Sequence, residues 1–195
     1  MRDLLVATGN AGKVKELAAL LEGSGISLRS LKDFPQVPSV QEDGETFTQN
    51  AIKKAKSACE ATGIPVIADD SGLSVDALGG RPGVFSARYA GEGCSDGDNN
   101  RKLLGELAGF GLEQRSAAFH CVIALCLPDG FCKTFDGELK GVITEAPVGS
   151  GGFGYDPLFL VPEYGMTLAE LPLEVKNRIS HRGRAFAALR EYLLK

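Results

Sequence analysis

The sequence predicts an α/β fold, and three observations carry that expectation. Short apolar runs of strand length alternate with segments whose apolar residues recur at helical spacing. The chain opens strand, tight glycine turn, helix. No internal repeat or low-complexity linker interrupts the alternation, so residues 1–195 read as a single domain. Apolar residues make up 44% and charged residues 24%, which excludes a disordered or collagen-like chain. A chain of this size buries about 70% of its unfolded surface, so it needs neither disulfide nor structural metal to fold.

The elements follow in order. Leu4-Leu5-Val6-Ala7 is a short apolar run that predicts a buried strand. It stops at Thr8-Gly9-Asn10, after which Val14, Leu17, Ala18 and Leu21 mark a helix with Asn10 as its N-cap. Thr46 to Thr62 predicts a second helix, with Phe47, Ala51, Ala55, Ala58 and Cys59 on one face and Gly63 ending it. Ile64 to Ala68 predicts another buried strand, ended by Asp69-Asp70-Ser71-Gly72. Residues 79–98 are rich in Gly, Asp and Ser and read as loop, followed by a short helix from Asn99 to Leu107. Phe119 to Leu127 and Phe131 to Phe135 read as partner strands joined by the turn Pro128-Asp129-Gly130. Gly149 to Gly154 is a glycine-rich loop, Thr167 and Glu170 form a capping box before a helical turn, and Ala185 to Leu194 is a final helix.

Composition excludes several classes of function. Lys plus Arg number 21 against 25 for Asp plus Glu, a net charge of −4, which argues against non-specific nucleic-acid binding. The longest apolar run, Ala117 to Leu127, is broken by His120 and is far short of the about 20 residues of a membrane span. The N-terminus turns polar at Thr8, too early for an export signal. Five cysteines without a CxxC pair read as reduced thiols of a cytoplasmic protein. His120 and His181 lie in no zinc-ligand spacing, so any metal would be held by oxygen.

Four segments could carry chemistry. In Thr8-Gly9-Asn10-Ala11-Gly12-Lys13, a glycine turn before a helix can offer backbone N–H groups to an anion, with Lys13 adding charge. It lacks Walker A spacing, and the same residues suit an ordinary turn with an exposed lysine. Glu42, Asp43 and Glu45 precede a helix start, where favourable charge alone explains them. Asp69-Asp70-Ser71-Gly72 places two adjacent carboxylates at the end of an apolar strand. A divalent cation would remove their repulsion, and an Asx-type turn is the other reading. Lys176, Arg178, His181, Arg182, Arg184 and Arg190 concentrate donors in an otherwise acidic chain, suiting an anionic or carbonyl-bearing ligand or a solvated helix face. In Gly151-Gly152-Phe153-Gly154-Tyr155-Asp156, the glycines admit close approach and Phe153 can stack on a base or belong to the core. Together the four supply a turn for phosphates, carboxylates for Mg²⁺, a ring for stacking and donors for base edges.

ATGNAGKVKEL at 7–17, EDGETFTQNAIKKA at 42–55, IADDSGLSVDALGGRPGVFSARYAG at 67–91, GSGGFGYDPLF at 149–159 and KNRISHRGRA at 176–185 stand in order along nearly the whole chain. In these segments the sequence resembles the non-canonical purine nucleoside triphosphate pyrophosphatases, the inosine/xanthosine triphosphate pyrophosphatase family. The resemblance implies an elongated mixed β-sheet with flanking helices, two lobes with the active site in the cleft between them, and a homodimer. It implies Mg²⁺-dependent hydrolysis of ITP, dITP or XTP to the monophosphate and pyrophosphate, cleansing the nucleotide pool. Carried over by position, Thr8, Gly9, Asn10, Ala11, Gly12 and Lys13 would hold the triphosphate, and Glu42 and Asp70 would hold Mg²⁺. Asp70 would also be the catalytic base, and Ser71 would contact substrate. Phe153, Gly154, Tyr155 and Asp156 would hold the base, with Lys176, His181 and Arg182 completing its recognition. The loop reads GSGG where GTGG is common, which keeps the hydroxyl. Val175 stands where an acidic residue often precedes the lysine, which removes a charge beside Lys176.

Two consequences follow from the chemistry. Asp70 could take a proton from water or only orient it, and Asp69→Asn is expected to lower kcat less than Asp70→Asn. Hypoxanthine and xanthine carry a 6-carbonyl that matches a donor-rich pocket, whereas adenine would face donors with a donor. Two other classes of function remain: a purine nucleotide-binding regulatory module that does not hydrolyse, and a phosphotransferase, for which no acceptor site is recognisable.

Overall fold

The computed structural model describes residues 3–21, 23 and 25–195. Among them, seven strands form one sheet in the order β2-β1-β3-β4-β5-β6-β7. These are β1 (Asp3–Val6), β2 (Ser27–Ser30), β3 (Val66–Val75), β4 (Ser116–Cys126), β5 (Cys132–Ile143), β6 (Phe159–Val161) and β7 (Met166–Thr167). β1 pairs in parallel with β2 and with β3, whereas β6 pairs antiparallel with β5 and with β7, so the sheet is mixed. The helices are α1 (Ala11–Leu21), α2 (Phe47–Thr62), α3 (Asp96–Glu106), α4 (Leu173–Ile179) and α5 (His181–Leu193). The α/β class expected from the alternation is the class observed.

The contacts divide the chain into two units. The first comprises Met1–Asp70, Cys121–Gly137 and Arg182–Lys195, and the second Ser71–His120 and Glu138–His181. In the first unit the sheet is buried on both faces. Leu4, Val6, Ile67, Cys121, Ile123 and Leu125 pack with Leu17 and Leu21 of α1 and with Ala185, Phe186 and Leu189 of α5. Their strand neighbours Leu5, Val66, Ala68, Val122 and Ala124 pack with Ala51, Ala55 and Ala58 of α2. This is the period-2 alternation of a strand sandwiched between helices. Cys59 of α2 joins these alanines in the same cluster. In the second unit Phe119, Leu139, Ile143, Leu158 and Phe159 centre a core with Leu103 and Leu107 at the end of α3.

The helix ends show why the segments start and stop. Asn10 Oδ1 accepts from the N–H groups of Gly12 and Lys13 at 2.9 and 3.2 Å, capping α1 as expected. Thr46 caps α2, which ends on Gly63 in the left-handed conformation at φ 67°. Ser95 and Asp98 form a capping box, so α3 begins at Asp96, three residues before the expected Asn99. Thr167 and Glu170 do bond, Thr167 N–H to Glu170 Oε2 at 2.8 Å, but they close a turn. The helix that follows, α4, starts only after Pro172.

Three expectations need correction, the first being that β5 does not end at Phe135 but runs on to Ile143. β3 does not end at Ala68 but continues through Asp69, Asp70, Ser71 and Gly72 to Val75. A strand interior can hold both aspartates because each is met by cations on its own face of the sheet, as described below. Nor are all five cysteines free: Cys126 and Cys132 form a disulfide, while Cys59, Cys94 and Cys121 are thiols. The turn after β4 brings the two together. Leu127 N–H donates to Phe131 O at 2.8 Å, and the flanking cysteines stand with Cα atoms 4.2 Å apart. No helix among the described residues is long and apolar enough to cross a membrane.

Candidate functional site

The turn after β1 is built by its own polar side chains. Ala7 N–H donates to Ile67 O at 2.8 Å, tying the end of β1 to β3, and Asn10 N–H donates to Thr8 Oγ1 at 3.2 Å. Ala11 and Gly12 open α1. The amides of Gly12 and Lys13, which an anion would otherwise use, are engaged by Asn10 Oδ1. A phosphate arriving here must exchange with that cap or use the Lys13 ammonium. Lys13 Nζ lies 2.8 Å from Asp69 Oδ2.

The paired aspartates do not share an environment. Asp69 follows Ile67 on the α1/α5 face of the sheet, and Asp70 follows Ala68 on the α2 face. Asp69 is almost completely buried, and both Lys13 and Arg182 approach its Oδ2, Arg182 through Nε at 3.5 Å. Burial alone would raise this carboxyl, but Lys13, Arg182 and Lys54 outweigh it and hold the group well below the usual carboxylate range. Cys121 lies near this buried charge; burial and the Asp69 charge push its thiol up to about 12, so it is inert.

On the other face, Asp70 Oδ2 accepts from Asn50 Nδ2 at 3.1 Å, and Asp70 Oδ1 faces Lys54 Nζ at 3.2 Å. The same ammonium lies 2.9 Å from Glu42 Oε1. Asn50 and Lys54 stand one turn apart on α2 and thus share a face. Asn50 Oδ1 also accepts from Gly44 N–H at 2.8 Å, which fixes the loop carrying Glu42. A side chain at Gly44 would collide with that carboxamide, at 2.6 Å from Oδ1, so only glycine fits there. Burial, reinforced by Glu42, raises the Asp70 carboxyl above its ordinary value despite Lys54. Burial would lower Lys54, but Asp70, Glu42 and Asp69 together raise it, so it stays charged at neutral pH.

Sequence reasoning did not single out Asn50 and Lys54. The signal available was an Asn and a Lys at i and i+4 immediately before Ala51 and Ala55 of the buried face. Among the described residues no group of three or more His, Cys, Asp or Glu is placed to hold a metal ion. Glu42 and Asp70 do converge on a single cation, the Lys54 ammonium. Two carboxylates suit a divalent ion that takes its remaining ligands from phosphate and water.

The second unit gathers the other set. Asp156 Oδ2 accepts from Phe153 N–H at 2.9 Å and from Lys176 Nζ at 2.6 Å, and the Lys176 and Asp156 side chains are each only 5% exposed. Asp156 therefore supplies the counter-charge that Val175 does not, and Val175 packs against the core instead. Lys176 Nζ lies 5.1 Å from the centroid of the Phe153 ring, a cation–π contact that orients the face of the ring. A side chain at Gly152, where φ is +73°, would overlap the Asp156 carboxylate. Tyr155 is buried and donates to Ser86 O at 2.8 Å, and burial raises its phenol. His181 stacks on Phe119 at 4.7 Å between centroids. Ser71, half-buried, follows Asp70 directly on β3.

The C-terminal donors are divided between the two units. Lys176 and His181 belong to the second unit, whereas Arg182 belongs to the first, beside Asp69. Arg178, Arg184 and Arg190 are exposed on α4 and α5.

Comparison with known proteins places this architecture in a class. The model of the Ham1 family matches residues 4–192, and the chain belongs to that family. It is 60% identical over 193 residues to the dITP/XTP pyrophosphatase of Geobacter sulfurreducens, covering 99% of this chain and 97% of that one. It is 54% identical over 191 residues to the dITP/XTP pyrophosphatase of Geobacillus kaustophilus, covering 98% and 94%. Among solved structures, a HAM1 protein from Coxiella burnetii superposes with a TM-score of 0.91 at 42% identity, covering 100% of this chain and 99% of that chain.

Proposed function

We propose that this chain hydrolyses non-canonical purine nucleoside triphosphates (ITP, dITP and XTP) to the monophosphate and pyrophosphate, removing them from the nucleotide pool. Relatives named dITP/XTP pyrophosphatase and the five sequence segments support the reading. The observation that carries it is the convergence of Glu42 and Asp70 on one cation. Mg²⁺ held by these two carboxylates would supply positive charge against the phosphoryl oxygens.

The chain's own residues do the rest. Lys13 and the Thr8–Lys13 turn bind the triphosphate. Asp70 accepts the proton of the attacking water at its carboxylate. Lys54 holds Asp70 and Glu42 in register and keeps its charge. Ser71, next to Asp70, contacts substrate. Phe153, with Gly154, Tyr155 and Asp156, stacks on the purine; Lys176, His181 and Arg182 donate to its oxygens. A single pyrophosphatase domain over residues 1–195, read from length and the lack of a linker, a cytoplasmic location, read from composition, and a homodimer, implied by the resemblance, belong to the same reading.

The test is a nucleotide panel with Mg²⁺ in which pyrophosphate and orthophosphate are measured separately. Pyrophosphate from ITP, dITP and XTP, with little from ATP, is the expected result. Tight binding without pyrophosphate release would make the chain a regulatory module.

Arg182 gives a sharper test of base reading. A guanidinium carries five N–H donors, and Asp69 engages it through Nε. Arg182→Ala should remove a charge-assisted hydrogen bond of about 1.5–3 kcal/mol to the 6-carbonyl. That is a loss of about 10- to 150-fold in kcat/KM for ITP with a much smaller change for ATP. Equal losses for both nucleotides would remove Arg182 from base reading.

A further inference from the structure

We infer that Asp96 and Asn100 are positioning residues that clamp Gly154 and thereby set the pose of the Phe153 ring. The inference rests on the base-stacking role proposed for Phe153. Asp96 Oδ2 accepts from Gly154 N–H at 2.7 Å, and Asn100 Nδ2 donates to Gly154 O at 3.0 Å. The two residues are one turn apart on α3 and grip both backbone groups of a single residue. Gly154 sits in the left-handed region at φ +63°, which lets its N–H and C=O both address the same helix face. The preceding amide, Phe153 N–H, is held by Asp156. The backbone on each side of the Phe153 side chain is therefore tied down, from α3 on one side and from the Asp156–Lys176 pair on the other.

α3 is itself anchored. Asn99, buried, accepts from Ala90 N–H at 2.8 Å and donates to Ala87 O at 3.2 Å, and Leu103 and Leu107 lie in the core. Asn100 carries a second, independent sign of its task. Its Oδ1 is buried without a hydrogen-bond partner among the described residues. Turning the carboxamide over would point that oxygen at Gly154 O, so the unsatisfied acceptor accompanies the donor orientation the clamp needs. Buried unsatisfied oxygens are uncommon in native proteins and call for such a reason.

The test uses the full chain and four variants: Asp96→Ala, Asn100→Ala, the double variant, and Asp96→Asn, which keeps an acceptor oxygen. Amide hydrogen exchange at Gly154 in the unliganded protein should accelerate about 10-fold in Asp96→Ala and return towards wild type in Asp96→Asn. KM for ITP should rise about 10-fold in each alanine variant and further in the double, with kcat within about two-fold, because the clamp acts on base binding and not on the attacking water. Unchanged exchange at Gly154 overturns the clamp. Faster exchange with unchanged KM overturns its role in positioning Phe153. If the wild type releases no pyrophosphate from any nucleotide, the proposed hydrolysis fails. The Kd for inosine monophosphate, which needs no turnover, then decides the clamp: a value equal in wild type and double variant overturns it.

Discussion

Asp70→Asn is expected to leave the fold intact and lower kcat by about 10²–10⁴. The amide is isosteric with the carboxylate, so β3 keeps its packing against α2, and Asn50 and Lys54 keep a polar neighbour. What the variant loses is a group that can take a proton and bear negative charge towards a cation. The pH profile separates these losses from a packing defect. Burial and Glu42 raise the Asp70 carboxyl in the metal-free chain, and Mg²⁺ on it would lower it, so in the wild type kcat/KM should fall at acid pH, with the fall moving to lower pH as Mg²⁺ is raised. The acid limb should disappear from what activity the Asn variant retains. A kcat within tenfold of wild type would remove Asp70 from the mechanism. Unchanged thermal stability with the expected loss would show that the residue serves the reaction and not the fold.

Much of the fold was legible because its signals are local. Asn10 and Gly63 are helix punctuation readable from residue type, and the structure uses each in that way, while Thr46, expected as the first helical residue, is the N-cap. The strands β1 and β4 are covered by helices on both faces and are therefore continuously apolar, so the apolar runs located them with errors of a few residues at the ends. β3 misled for a physical reason. Charged residues ordinarily mark a strand's end, and only the cations of α1, α2 and α5, remote in sequence, make Asp69 and Asp70 tolerable inside one. The same non-local pairing hid Asn50 and Lys54, whose spacing marks a helix face but not what the face meets. α4 was missed because its seven residues carry too little periodicity, and the pairing of Lys176 was not legible because its partner Asp156 lies twenty positions away. The acidic pair also looked like one metal site. Strand geometry divides it, sending one carboxylate to each face and leaving Glu42 as the second oxygen donor beside Asp70.

That division gives the loss of Asp69 a large expected cost in stability, a matter apart from the ranking in turnover expected from sequence. Asp69→Asn keeps volume and opens no cavity, so the effect is electrostatic. Its carboxylate sits between Lys13, 14% exposed, and Arg182, 3% exposed. Lys13 is long enough to swing its ammonium towards water, and its loss is modest. Arg182 starts a stretch of α5 whose residues Ala185, Phe186 and Leu189 are locked in the core, so its guanidinium must stay buried. Removing one partner of a buried pair typically costs about 3–5 kcal/mol, and that is the expected fall in unfolding free energy at pH 7, read from urea midpoints. The pH dependence has a definite sign. The native carboxyl is held below its unfolded value of about 3.9, so below about pH 4 the unfolded chain binds a proton that the native chain does not. Wild-type stability from this site is full above that value and is lost as pH falls towards the depressed native one; the Asn variant should lack this slope. The double variant Asp69→Asn/Arg182→Met should recover most of the loss, because removing both buried charges with a side chain of similar length leaves no uncompensated ion. A single-variant cost under about 1 kcal/mol, or a double variant no more stable than Asp69→Asn, would show that Asp69 is not what holds the Arg182 charge in the core. Turnover should fall in the single variant as well, since Lys13 would lose the carboxylate that holds it beside the Thr8–Lys13 turn.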